Sequence, residues 1–338
     1  MKFSVGYNMR QRERLIPAII KNQSLITEVY FSWGDFANGR NSQLESSDLT
    51  AWEAYAKAER DLRRLNKSGI DFNLLFNANC YGAESLSRAL YNKIGECADY
   101  IKREMNLKSV TTTSPLIAKF FKNNFSDIKV RASVNMELGT VRAMSYLTEY
   151  FDGYYMKREH NRDFKRIREL KAWCEANGKS LHILANSGCL NDCSAHIFHD
   201  NLVAHEAEIA GRDNCYTFDG VCKAYLKNPE NRRFFIRDTN FIRPEDIGYY
   251  EEFFDTVKLA TRVSNHAAVI VESYAKGAYS GNITELLEPD HSAALYPYAV
   301  DNGKLTNDYL FCNKECSECG RCEIICENAF VNLEKFYY

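Results

Sequence analysis

The chain's chemistry is concentrated in cysteines. Of the 12 in its 338 residues, five fall between positions 312 and 326 and four between 189 and 222. The first group contains Cys316, Cys319, Cys322 and Cys326 in C-x2-C-x2-C-x3-C order. This is the spacing with which bacterial ferredoxins wrap thiolates around an iron–sulfur cubane. Gly320 frees the turn between two of the ligands. Glu327 stands where the ferredoxin run has proline. In two-cluster ferredoxins the fourth cysteine serves the other cluster, so Cys312 is an alternative to Cys326. Tetrahedral zinc is the alternative metal.

The second group is Cys189, Cys193, Cys215 and Cys222. Its spacing fits no simple zinc finger. Four thiolates there could hold a second cluster. Two other readings stay open. Cys189, Cys193, His196 and His199 supply four donors for zinc, and Cys215 and Cys222 could be small packing residues. Cys97 and Cys174 sit in amphipathic stretches and read as core. Cys80, just after an apolar run, is either a packing residue, a fourth cluster ligand or a substrate contact.

These residues need a frame. Short apolar runs at 3–7, 26–33, 71–77, 109–112, 128–134, 153–156, 180–185 and 256–260 read as strands. Between them lie helical patterns near 11–22, 50–66, 84–104, 115–123, 138–150, 162–176, 244–254 and 264–276. Asp163 precedes one apolar-periodic run, and Pro244 suits a first helical turn. Eight strands alternating with helices predict an α/β fold, a (β/α)8 TIM-like barrel that could be incomplete, with a doubly wound sheet as rival. No G-x-G-x-x-G or P-loop follows the first strand. The barrel is expected over 1–280, with a cysteine-rich insertion at 187–240 and a ferredoxin-like tail at 281–338.

Barrel enzymes work at the C-terminal ends of their strands. Strict alternation puts Lys258 and Arg262 on one face of the last strand, and His182 and Asn186 on one face of the seventh. Pointing inward, they would line a polar pocket for a carboxylate or phosphate. Arg158 and Glu159 end the sixth strand as candidate catalytic residues, with Glu159 a general base if burial raises its pKa, or as a structural salt bridge closing the barrel. The basic run Lys157 to Lys171 reads as a solvated helix face, with an RNA contact as the sharper option.

Bulk properties exclude some classes. The net charge of −2 gives no long-range pull toward nucleic acid or anionic lipid, which leaves nucleic acid an unexpected partner. No apolar run reaches the roughly 18 residues a membrane span needs, and the N-terminus turns polar too early for a signal peptide. A cytoplasmic protein is expected, in which clustered cysteines are metal or redox groups before they are disulfides. No H-E-x-x-H or G-x-S-x-G supports a hydrolase.

Several ordered segments resemble the collagenase-like peptidase family, family U-32. They are Tyr154–Glu159, Leu181–Ser194, Arg237–Asp246 and Thr256–Arg262. Where the family's last strand reads Lys-Ile-Glu-Gly-Arg, this chain has Lys258-Leu259-Ala260-Thr261-Arg262. The resemblance implies an incomplete or modified barrel with a four-cysteine, four-iron cluster. It implies oxygen-independent hydroxylation, of ubiquinone precursors or of RNA bases, with prephenate as oxygen source in some members, or else a peptidase. The combined expectation is an iron–sulfur oxidoreductase with one or two 4Fe-4S clusters acting on a small anionic or cyclic metabolite. An electron-donor protein or a paired family member would be its partner.

Overall fold

A computed structural model describes residues 1–39, 49–311 and 314–336. Strands and helices alternate as β1 Lys2–Gly6, α1 Arg12–Lys21, β2 Ile26–Phe31, α2 Ala51–Lys67, β3 Asp71–Phe76, α3 Arg88–Glu104, β4 Leu107–Thr112, α4 Pro115–Asn124, β5 Lys129–Ala132, α5 Val141–Ser145, β6 Gly153–Tyr155, α6 Phe164–Ala176 and β7 Ser180–His182. The insertion folds into five short helices, α7 His196–Ala204, α8 Glu206–Ala210, α9 Val221–Lys227, α10 Pro229–Arg232 and α11 Phe235–Asp238. Then come β8 Thr256–Leu259 and α12 Ala267–Lys276. The tail holds α13 Ser292–Leu295, β9 Tyr298–Val300, α14 Cys316–Cys319, α15 Arg321–Ala329 and β10 Phe330–Asn332.

The eight strands form one parallel sheet in the order β7-β6-β5-β4-β3-β2-β1-β8. Its two ends meet through a bridge between Leu184 and Lys258, the flanking backbone hydrogen bonds and the Asn186 side chain on Ala260. The sheet is therefore a TIM-like barrel with one incompletely sealed seam. All eight expected strands are present, six of them one to three residues shorter than expected. The pattern near 138–150 forms a helix only over Val141–Ser145, and Pro244–Tyr250 is a 3-10 helix. Helix starts follow local chemistry. Thr50 and Glu53 cap α2 reciprocally, and the Asp163 carboxylate accepts the Arg166 N–H at 2.9 Å at the start of α6.

The two faces of the sheet differ. Outward residues such as Phe3, Val29, Phe72, Val110, Val130, Ile183 and Val257 are buried against the helices and form the main core. Inward residues are mostly polar, and only Val134, Tyr155, Leu184 and Ala260 make an apolar cluster of their own. At the base of the interior, Arg131 Nη1 donates to Glu28 at 2.7 and 2.8 Å, and Ser4 Oγ and Asn73 Nδ2 donate to the same carboxylate at 2.7 and 3.3 Å. Burial alone would raise the Glu28 pKa, but Arg131 and these donors hold it well below the usual carboxylate range.

Insertion and tail are fastened to the barrel. Asn161 Nδ2 donates to the carbonyls of Leu184 and Asn240, and Arg162 reaches Asn240 and the α11 carbonyls. Arg158 and Arg162 of the basic run are thus buried, because they bond backbone and side chains inside the fold. The rest of that run matches the solvated face expected of it only in part. In the tail, Ile325, Cys326 and Ala329 of α15 belong to the same core as the barrel's outer face. No helix among the described residues is long and apolar enough to cross a membrane.

Candidate functional site

The strand ends open on a cleft lined by Tyr30, Gly39, Leu75, Asn77, Val134, Asn135, Arg158, Leu184, Ser187, Cys189, Lys258, Ala260, Arg262 and Glu288. Its free space is about 50 Å³, far below the several hundred of a drug-sized site. That space suits a small anionic head group. Four residues singled out from the sequence meet here: Arg158, Cys189, Lys258 and Arg262.

Each arrives by a definite route. Lys258 projects inward from β8 and its ammonium stands 4.1 Å from the centre of the Tyr30 ring and 4.9 Å from that of Tyr155. Among the described residues it has no carboxylate partner. Burial and then Arg262 push it down to about 7. Arg158 follows β6, and its guanidinium donates to Asn135 Oδ1 at 2.9 Å and to Cys189 Sγ at 3.3 Å. Glu288 comes from the tail. Its N–H donates to the Asn186 carbonyl, and its carbonyl accepts the Gly188 N–H. This close approach requires glycine, since a Cβ at Gly188 would lie 2.3 Å from the Pro289 carbonyl oxygen.

The other three predicted site residues lie outside the cleft. The Asn186 amide donates to the carbonyls of Ala260 and Leu286 and accepts the Ala260 N–H, so it closes the seam. His182 is lower in the barrel, where burial and then Arg131 push it down to about 3, and its Nε2 bonds Ser180 Oγ. Glu159 pairs with Lys157 at 3.6 Å. Sequence reasoning missed Tyr30, Asn77, Asn135 and Glu288. Alternation along β2 could have found Tyr30, but nothing local marks Glu288.

Beside the cleft, His196 Nδ1 lies 2.7 Å from Glu137 Oε1 and its Nε2 3.2 Å from Asp200 Oδ2. Hydrogen bonds to Asp200 and then Glu137 push it up to about 9. Among the described residues, no three His, Cys, Asp or Glu side chains converge where one metal ion could sit.

The cysteines form two neighbourhoods. Burial raises the Cys222 thiol, and Cys189 and then Cys193 add to the shift, so these three sulfurs are close enough to feel one another. Cys215 is exposed, against the packing alternative. In the tail, Cys316, Cys319 and Cys322 line one cavity with Arg237 and Lys314. Gly320, at φ +56°, makes the turn between α14 and α15. Cys326 is not brought to that cavity. It is buried against α11, and its Sγ donates to the Arg232 carbonyl at 3.5 Å. Cys312 lies outside the described residues. Thiolates on a four-iron cubane bind separate irons, so they need not converge on a point as ligands of a single ion do. Each neighbourhood offers three thiols beside positive charge, a donor set compatible with a cluster.

No protein-family profile matches the chain. It is 26% identical over 326 residues to an uncharacterized protease of Methanocaldococcus jannaschii, a similarity spanning 94% of this chain and 92% of that protein. Its fold is similar to the solved structure of the U32 peptidase Mk0906, at a TM-score of 0.53 and 14% identity, over 76% of this chain and 92% of the other. The chain thus shares its fold with a U32 peptidase. The U32 name by itself assigns no reaction to the cleft.

Proposed function

We propose that this chain is an iron–sulfur oxidoreductase that transforms a small anionic metabolite at the barrel mouth, by oxygen-independent hydroxylation or a related redox change. One observation carries the reading: Lys258, buried and without an ion pair among the described residues, shares a cleft with Arg158, Arg262, Cys189 and Glu288, so that three cations line it with one carboxylate. A buried cation is costly unless paired, so the cleft is built to receive an anion.

Arg158 and Arg262 would bind the anion through their planar donor forks. Lys258, with its pKa near neutrality, would accept or give a proton at Nζ. The small volume of the cleft leaves little room for water beside a bound anion, which strengthens these contacts. Cys189, Cys193, Cys215 and Cys222 would hold one 4Fe-4S cluster beside the anion. Cys316, Cys319 and Cys322, with Cys326 or Cys312, would hold another nearer an electron-donor protein. When bound, such clusters supply single electrons.

The test is anaerobic purification with iron and sulfide counts. A brown protein absorbing broadly near ~400 nm with roughly eight irons per chain is expected. Cys189→Ser should lower that count by about four. A colourless, iron-free protein that cleaves peptides would instead establish the hydrolase reading, which the names of the relatives favour.

A further inference from the structure

We propose that the cavity between the start of α6 and the tail binds a mononucleotide, its phosphate held by Arg162, Lys165 and Arg168 and its base laid against Phe311 and Tyr249. The site shares no lining residue with the cleft and does not rest on the proposed reaction.

The cavity holds about 570 Å³, within the roughly 300–1,000 Å³ of small-molecule sites. Four cations line it, Arg162, Lys165, Arg168 and Lys314, against two carboxylates, Asp163 and Glu252. Arg162 is only 3% exposed. Its Nε donates to Asn240 Oδ1 at 2.9 Å, and its Nη2 donates to the carbonyls of Ile236, Arg237 and Thr239. These acceptors fix the plane of the guanidinium, and none of them is a carboxylate. Nη1 makes no hydrogen bond among the described residues, so a buried cation keeps a donor for a ligand. Lys314 Nζ donates to the same Asn240 oxygen at 2.9 Å. Two cations thus share one neutral amide. The helix start adds two more donors. Asp163 takes the Arg166 N–H, while the Phe164 and Lys165 N–H groups make no hydrogen bond among the described residues. A helix receives phosphate with such groups.

The aromatic wall selects the rest of the ligand. Phe311 stacks on Phe164 with ring centres 5.6 Å apart and planes 19° apart, and Tyr249 meets Phe311 at 5.1 Å and 87°. Phe311 nevertheless stays 56% exposed and Tyr249 43%. Large rings left open beside cations offer a stacking platform to a planar base. A base and a phosphate joined by ribose span both halves of the cavity, whereas a simple carboxylate reaches only the cations.

The experiment titrates the full-length protein with AMP by calorimetry at low salt. One AMP per chain is expected, with adenosine and inorganic phosphate each weaker by about tenfold or more. Arg168→Gln should weaken AMP about tenfold and Phe311→Leu about fivefold, while Lys258→Met, in the cleft, should leave AMP binding unchanged. Arg168 and Phe311 are exposed, and circular dichroism would verify that their variants fold. The proposal is overturned by absence of saturable AMP binding, even where a single-stranded RNA binds this face. It is equally overturned by an affinity that Arg168→Gln or Phe311→Leu leaves unchanged, by phosphate binding as tightly as AMP, or by loss of AMP binding in Lys258→Met.

Discussion

The base of the barrel interior and its mouth are both buried and both charged, yet they are finished differently. At the base, Glu28 and Arg131 satisfy each other, with Ser4 and Asn73 completing the carboxylate's hydrogen bonds. At the mouth, Arg158, Lys258 and Arg262 face a common space with the single carboxylate of Glu288, and Lys258 stands against the faces of Tyr30 and Tyr155 with no ion pair among the described residues. A closed network serves the fold. A cation left without its counter-ion costs stability and is kept where a ligand supplies the missing charge.

The comparison can be broken most forcefully at the base. Arg131→Met leaves Glu28 buried and unpaired and should cost about 3–5 kcal/mol in urea unfolding. Changing both residues together, with Glu28→Gln added, should recover much of that loss. A single variant as stable as the wild type would show that the base network carries no more weight than a surface pair.

At the mouth the expectation reverses. Lys258→Met should weaken binding of small carboxylates by about tenfold to a hundredfold in calorimetry, the worth of a charge-assisted contact. It should not destabilise the fold at pH 6. Because Lys258 is pushed down to about 7, the folded protein sheds its proton before the unfolded chain does. Its contribution to stability therefore rises as pH climbs from about 7 toward the ordinary lysine value, while anion affinity declines over the first part of that range. Affinity independent of Lys258 and of pH would place the anion elsewhere.

The smallest effect belongs to His196, at the edge between the two regimes. Its pKa is raised to about 9, so its stabilisation is fully present below about pH 6.5 and is lost as pH rises through 9. We expect about 1–2 kcal/mol over that window, absent in His196→Asn. Opposite pH slopes for Lys258 and His196 would sharpen the distinction between an unpaired and a paired cation.

The barrel was legible in the chain's pattern, because alternating apolar runs and amphipathic stretches report burial one residue at a time. That pattern also marked Arg158, Cys189, Lys258 and Arg262, since strand ends and strict alternation are local properties. It could not separate them from Asn186 and His182, which share the same strand pattern but spend their polar atoms on backbone and interior neighbours. Nor could it supply Glu288 to the cleft or the turning of Cys326 into the core. Those pairings join residues far apart in the chain, and only the packing of tail and insertion on the barrel brings them within reach.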